Sequence, residues 1–142
     1  MAFILHDEAE LWVLQVLLTK EDTVPANFYL GLCNDTLVKT DGLSDISGEP
    51  SGDGYTRQAI PASAVGWTIS VDGIYRKGTA AAKTFTADGG DWGTVNTWFV
   101  ATSSDNSGTL ICSGPIDPAR VIGDGDSLEQ TAYLRIKFEG ES

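Results

Sequence analysis

The residues best suited to catalysis are few and scattered in this sequence. It contains one histidine, His6, and two cysteines, Cys33 and Cys112. Serine and cysteine nucleophiles need a positioned histidine base, and we expect His6 to lie in a mobile N-terminal segment. The three residues also lack the spacing of a zinc-ligand set. We therefore expect no catalytic residues and a protein that is not an enzyme.

Closely spaced aspartates offer the strongest signal for a metal. Asp124 and Asp126 could supply the hard oxygen ligands that calcium prefers, as could Asp88 with Asp91. Neither stretch completes an EF-hand loop, and Asp and Gly are also the residues that tight turns select. We favour turns and keep Asp124 and Asp126 as weak metal candidates. No spacing indicates a carboxylate pair of the glycosidase type, and no motif indicates a bound cofactor.

The two cysteines admit two interpretations. Two are too few for a disulfide framework, and neither lies in a Cys-x-x-Cys spacing. We favour two small apolar core residues. A single long-range disulfide between Cys33 and Cys112 is the alternative, since geometry alone decides whether they meet.

Charge and composition exclude two kinds of partner. The chain has 9 Lys and Arg against 20 Asp and Glu, a net charge of −11 at pH 7. This balance argues against binding nucleic acid and against binding an anionic membrane surface. The sequence shows no signal-peptide pattern and no apolar run of the ~18 residues that a membrane helix needs. We expect a soluble chain made in a cytoplasm, with a single domain over residues 1–142.

The N-terminal part predicts one helix over about residues 7–19. Asp7 is the expected N-cap, with Glu10 reaching back to complete a capping box. Residues 11–18 are apolar except for Gln15, whereas a helix on the surface of its own domain usually keeps a polar face. Either the helix lies in a groove of its own sheet, or part of it docks onto another subunit. The interface candidates on this helix are Leu11, Trp12, Leu14 and Leu18.

From residue 27 onward, apolar and polar residues alternate, which indicates β-strands. The clearest pattern runs from Leu128 to Phe138, and Asp72-Gly73 marks a tight hairpin. Seven or eight short strands separated by turns, one of them at Gly114-Pro115, predict a mainly β fold with one N-terminal helix. We expect an antiparallel β-sandwich or jelly roll over about residues 27–139. Further strand candidates cover residues 28–33, 55–60, 67–71, 80–86, 95–101 and 110–113.

A long acidic loop at residues 35–53 interrupts the strand pattern. Loops of this length within compact domains are usually functional or mobile. Few apolar residues are available to anchor it, among them Leu43 and Ile46. We expect a surface arm that becomes ordered against a neighbouring subunit, with Leu43 and Ile46 as interface candidates.

Three segments carry a resemblance to a known family. They are Glu49-Pro50-Ser51-Gly52-Asp53-Gly54-Tyr55-Thr56-Arg57-Gln58, Gly89-Gly90-Asp91-Trp92-Gly93-Thr94-Val95 and Gly123-Asp124-Gly125-Asp126-Ser127-Leu128. Together with the N-terminal helix, they resemble small virion structural proteins of tailed bacteriophages, of the capsid decoration (cement) or short tail-fibre type. The resemblance implies a non-enzymatic β-sandwich that works by attachment. In so acidic a chain we expect carboxylates to hold Arg57, within the subunit or across an interface, and Arg57 is the last interface candidate.

These features favour a capsid decoration protein on the outer surface of the phage head. Such a protein bridges and stabilises subunits of the major capsid protein, and it needs a β core and an attachment element but no chemistry. The alternative is a tail, baseplate or fibre component involved in host attachment. In both cases we expect other virion proteins as partners, together with self-association as a dimer or trimer.

Overall fold

The alternating segments form antiparallel strands, which confirms the mainly β fold with one N-terminal helix. A computed structural model describes residues 2–137. The helix α1 (Asp7–Leu14) continues through a π-helical segment (Gln15–Thr19), so that 13 residues are helical. The strands are β1 (Ile4–Leu5), β2 (Asn27–Cys33), β3 (Gln58–Pro61), β4 (Trp67–Asp72), β5 (Tyr75–Ala80), β6 (Lys83–Thr86), β7 (Gly93–Ala101), β8 (Leu110–Ile122), β9 (Ser127–Gln130) and β10 (Tyr133–Lys137).

The strands form three sheets. A five-stranded sheet has the order β1-β8-β7-β2-β3, a three-stranded sheet has the order β10-β5-β4, and β6 pairs with β9. The predicted hairpin is confirmed, because Asp72 pairs with Tyr75 and Gly73 has a positive φ of 61°. The main core contains residues from the helix and from all three sheets, including Trp12, Trp98 and Phe85.

Strand number and strand ends differ from the prediction. The described residues form ten strands rather than seven or eight. The expected turn at Gly114-Pro115 is wrong, because β8 continues through it, with Gly114 paired to Trp98 and Pro115 to Thr97; the register shift against β7 follows, between Pro115 and Arg120. The expected last strand divides into β9 and β10, because the chain passes from one sheet to another near Ala132. Phe138 and the expected end at residue 139 lie outside the described residues.

The loop at residues 35–53 packs on its own subunit. Leu37, Leu43 and Ile46 are buried with Phe99 in a second, smaller core cluster. The Asp35 carboxylate accepts a hydrogen bond of 2.8 Å from the Gly48 amide, which closes the loop. The expected arm toward a neighbour is therefore wrong, because its few apolar residues suffice to anchor it internally.

The start of the helix also differs from the prediction. His6 is the N-cap residue and makes no side-chain capping bond. Asp7 lies inside the first turn, and its carboxylate, like that of Glu10, binds Lys39. The capping box is therefore wrong. Instead, the Glu8 carboxylate accepts hydrogen bonds from distant backbone amides, including that of Leu110 at 2.8 Å, and so fastens the helix to the sheet.

Candidate functional site: an apolar groove beside the helix

An apolar groove of about 890 Å³ lies between α1 and the three-stranded sheet. Three aromatic rings connect its two sides. Trp12 of α1 meets Phe28 of β2 edge to face with ring centres 6.0 Å apart, and Phe28 meets Trp67 of β4 in the same way at 6.1 Å. Edge-to-face contacts of this kind stabilise a fixed arrangement of the rings. The helix is therefore held at a defined distance from the sheet, and the groove between them stays open.

The helix lines the groove with Leu14 among others, and two further leucines are exposed beside it. Ala9 and Trp12 face inward and are buried. Leu11, Leu14 and Leu18 lie on another face, and their exposed fractions are 59%, 53% and 73%. Their spacing of three and four residues is that of a helical stripe. A continuous exposed stripe of leucines is typical of a surface that binds another molecule.

The sheet side presents a second exposed apolar surface. Ile69 of β4 is paired with Gly78 of β5, which is paired with Leu134 of β10. Residues paired directly across strands share a face, so this face of the sheet lines the groove. Ile69 is 74% exposed and Ile136, further along β10, is 57% exposed. Trp67, Ile69 and Val71 alternate along β4 and so share this face. Ile69 and Val71 are open to solvent, whereas Trp67 is half-buried against the main core.

Arg57 is the centre of a second cluster, which lies inside the subunit. Its Nε and Nη2 atoms donate hydrogen bonds of 2.8 Å to the two carboxylate oxygens of Glu49. Nη1 donates to the backbone carbonyls of Ser103 and Asp105, and Nη2 also donates to Asn106 Oδ1 at 2.6 Å. The side chain of Arg57 is 3% exposed. The expected carboxylate partner is thus confirmed, and it belongs to the same chain.

Tyr55 extends this cluster into the main sheet. Its hydroxyl donates to Glu49 Oε2 at 2.5 Å and accepts a 3.0 Å hydrogen bond from the Leu32 amide. Burial and the nearby Glu49 charge raise the pKa of Tyr55, so the phenol keeps its proton. Glu49, Tyr55 and Arg57 therefore connect the long loop, the strand β2 and the loop at residues 103–106. This arrangement holds loops together and has no exposed reactive group.

The aspartates that were weak metal candidates are engaged in turns. Asp126 Oδ2 accepts a hydrogen bond of 2.8 Å from the Gly123 amide, and Asp124 Oδ1 accepts one of 2.9 Å from the Gly89 amide. Over residues 2–137, no group of three or more His, Cys, Asp or Glu side chains is arranged to hold a metal ion. The two hydrogen bonds are of the kind that aspartates make in tight turns.

His6 is buried and does not lie in a mobile segment. Its Nε2 atom lies 2.8 Å from Ser113 Oγ, and both residues are fully buried. Burial lowers the pKa of His6, against the opposing effect of nearby backbone carbonyls. A substrate cannot reach this Ser-His pair, so it joins the N-terminal segment to β8. The expectation of mobility is wrong because β1 pairs with β8 and holds the segment in place.

The cysteines are free, and both are buried. Cys112 lies in the main core and Cys33 in the smaller one. This confirms the favoured interpretation of two small core residues and excludes the disulfide in this structure. Burial raises the pKa of both thiols, so neither is a reactive thiolate.

The interface candidates fall into two groups. Leu11, Leu14 and Leu18 lie together at the surface beside the groove, where a partner can reach them. The others are buried in contacts within the subunit: Trp12 in the main core, Leu43 and Ile46 in the smaller core, and Arg57 with Glu49. The sheet side of the groove was not predictable from the sequence, because alternation shows which residues share a face but not whether that face is covered.

The fold and the groove define a β-rich protein with an open apolar surface beside its helix. In the described part of the chain, no helix is long and apolar enough to cross a membrane. The family described as Podophage GP4 fiber I protein gp80 matches residues 6–136, and the chain belongs to this family. It is therefore a structural protein of the phage virion. No curated protein matches the chain significantly.

Proposed function

We propose that this protein is a tail-fibre component that attaches to other virion proteins through the apolar groove and does no catalysis. The match to a family named for a fibre protein, over residues 6–136, carries this proposal. The same match is why we propose a fibre rather than a decoration protein on the head. A single domain over the chain is part of the proposal, because one core joins the helix to all three sheets.

The physical features of the subunit support a role in assembly. Contiguous exposed apolar patches are rare on proteins that act alone, and here one lines the groove while the leucine stripe lies beside it. The net charge of −11 keeps such a subunit soluble before assembly, since like-charged chains repel one another. The Arg57 cluster and the packed loop at residues 35–53 make the rest of the subunit rigid.

Antibody labelling of intact particles, viewed by electron microscopy, tests the proposed location. The antibody is raised against the purified chain, and particles of an unrelated phage serve as the control. We expect label on fibres attached to the tail. Label distributed over the head would overturn the fibre proposal and favour a decoration protein.

A further inference from the structure

We propose that residues 3–6 form a clasp over one edge of the main sheet, and that this clasp opens when His6 is protonated. The N-terminal clasp consists of the strand β1, with Phe3 before it and His6 after it. The inference concerns a conformational change within the subunit, so it goes beyond the proposed function and does not depend on it.

Few contacts hold the N-terminal clasp in place. The strand β1 has two residues, and both pair with β8 at the edge of the five-stranded sheet. The His6 amide donates a hydrogen bond of 3.1 Å to the Ile111 carbonyl. The Phe3 ring stacks on the Tyr133 ring with 5.2 Å between centres. A segment with so few contacts opens at a lower free-energy cost than the core, so the clasp can open while the rest of the subunit stays folded.

The ring of His6 is the buried anchor of the clasp. Residues 3–5 are half-buried, whereas His6 is fully buried. Its Nε2 atom has the Ser113 hydroxyl as a partner at 2.8 Å. Its Nδ1 atom is buried and has no hydrogen-bond partner among the described residues. A charged imidazolium donates through both nitrogens, and burying its charge away from water is costly. The closed clasp therefore favours the neutral ring.

The charges near His6 do not offset this cost. The first helical turn and the loop at residues 38–41 carry five charged side chains: Asp7, Glu8, Glu10, Lys39 and Asp41. Lys39 binds Asp7 and Glu10, and Glu8 accepts hydrogen bonds from backbone amides. Residues 111–113 of β8 carry no charge, and Arg135 of β10 lies over the Phe3 ring. Asp41 and the backbone carbonyls of residues 38, 39 and 41 favour the charged ring, but burial has the larger effect and lowers the pKa of His6.

The sign of the pH effect follows from this burial. The open clasp exposes His6 to water, where it binds a proton with an ordinary pKa of about 6.5. The closed clasp does not bind that proton until the pH is lower. Opening is therefore independent of pH above about 6.5. Below it, the opening equilibrium constant rises by up to ~10-fold for each pH unit.

Opening of the clasp changes what the edge of the main sheet offers. The strand β1 covers β8 at residues 112 and 113, and its release leaves backbone groups of this edge without partners. An uncovered strand edge is able to pair with another strand. The helix α1 stays in place, because Trp12 lies in the main core and Glu8 is bound to the Leu110 amide. The clasp therefore protects this edge at neutral pH and uncovers it in acid.

Amide hydrogen exchange of the full chain, followed by NMR between about pH 7.5 and 5, tests the proposal. Each rate is divided by the intrinsic exchange rate at the same pH, which leaves the opening equilibrium. We expect opening at the His6 amide to increase by up to ~10-fold per pH unit below about 6.5. Amides of β7, in the middle of the five-stranded sheet, should not show this increase. The chain has one histidine, so the His6 ring signals report its protonation without any variant.

Two variants separate the titration of His6 from the strength of the clasp. His6→Gln keeps a hydrogen-bonding side chain that does not titrate, so opening at position 6 should no longer depend on pH. Phe3→Ala removes the ring contact with Tyr133 and keeps His6, so opening should increase at every pH with the same dependence on pH. NMR spectra verify that each variant is folded.

Four results would each overturn the proposal. The first is opening at the wild-type His6 amide that does not change with pH, and the second is opening that changes while the His6 ring stays neutral. The third is a folded His6→Gln variant with the pH dependence of the wild type. The fourth is opening of the β7 amides in parallel with the His6 amide, which would show unfolding of the whole subunit instead of the clasp.

Discussion

The Arg57 cluster gives the sharpest prediction about stability. Replacing Arg57 with alanine removes both hydrogen bonds to Glu49 and those to the loop at residues 103–106. It also removes the guanidinium that lies 5.0 Å from the centre of the Phe99 ring. The Glu49 carboxylate is then left mostly buried, with its side chain 19% exposed, and with the Tyr55 hydroxyl as its remaining side-chain donor.

The size of the effect follows from this burial. Removing one partner of a buried ion pair costs about 3–5 kcal/mol, because the remaining charge is uncompensated. Glu49 keeps some solvent contact, so we take the lower end, about 3 kcal/mol. For a domain of this size, that loss lowers the Tm by roughly 10 °C.

Urea denaturation of three variants measures the effect and its origin. Arg57→Ala and Glu49→Ala should each lower the free energy of unfolding by about 3 kcal/mol. Because both remove the same interaction, the double variant should lose about 2 kcal/mol less than the sum of the two. Lys39→Ala is the control, since Lys39 also binds two carboxylates but is 54% exposed, and we expect little change. If Arg57→Ala lowers the free energy of unfolding by less than about 1 kcal/mol, this reasoning is refuted. It is also refuted if the effects of Arg57→Ala and Glu49→Ala add up in the double variant.

Three further predictions concern groups that can titrate, react or bind metal. Because burial lowers the pKa of His6, the unfolded chain binds a proton that the folded chain does not. His6 should therefore contribute fully to stability above about pH 6.5, and this contribution should fall as the pH drops further. Urea denaturation from pH 7.5 to 5.5 should show a smaller loss of unfolding free energy for His6→Gln than for the wild type. Equal losses in the two proteins would contradict this prediction. Cys33 and Cys112 should not react with a thiol reagent in the native protein, whereas both should react in denaturant; rapid native reaction would show that they are accessible. Finally, a chelator should leave the Tm unchanged if Asp124 and Asp126 only cap turns, and a fall of several degrees would reveal a bound cation.

Local patterns were enough to predict the fold class. Alternation at residues 28–33 and the Asp72-Gly73 turn depend on neighbours in sequence, and both appear as expected in the structure. The extent of the helix was also predictable, because its apolar run is continuous. Its capping was not, because Lys39, distant in sequence, competes for the Asp7 carboxylate.

The features that could not be predicted from the sequence depend on long-range contacts. The few apolar residues of the acidic loop, Leu43 and Ile46 among them, did not indicate that it packs on its own subunit. In the structure, both are buried against Phe99 in the smaller core. The segment at residues 128–138 alternates continuously, yet the chain changes sheets within it, because alternation does not specify the pairing strand. For the same reason, the pattern of β4 could not show that Ile69 stays open to solvent.

The most direct test of the groove places a photo-crosslinking amino acid at position 69 in particles assembled with the full chain. The same amino acid at position 121 is the control, because that position lies outside the groove. We predict that irradiation links position 69, and not position 121, to a neighbouring virion protein. Particles that contain the chain but yield no adduct from position 69 would contradict attachment through the groove.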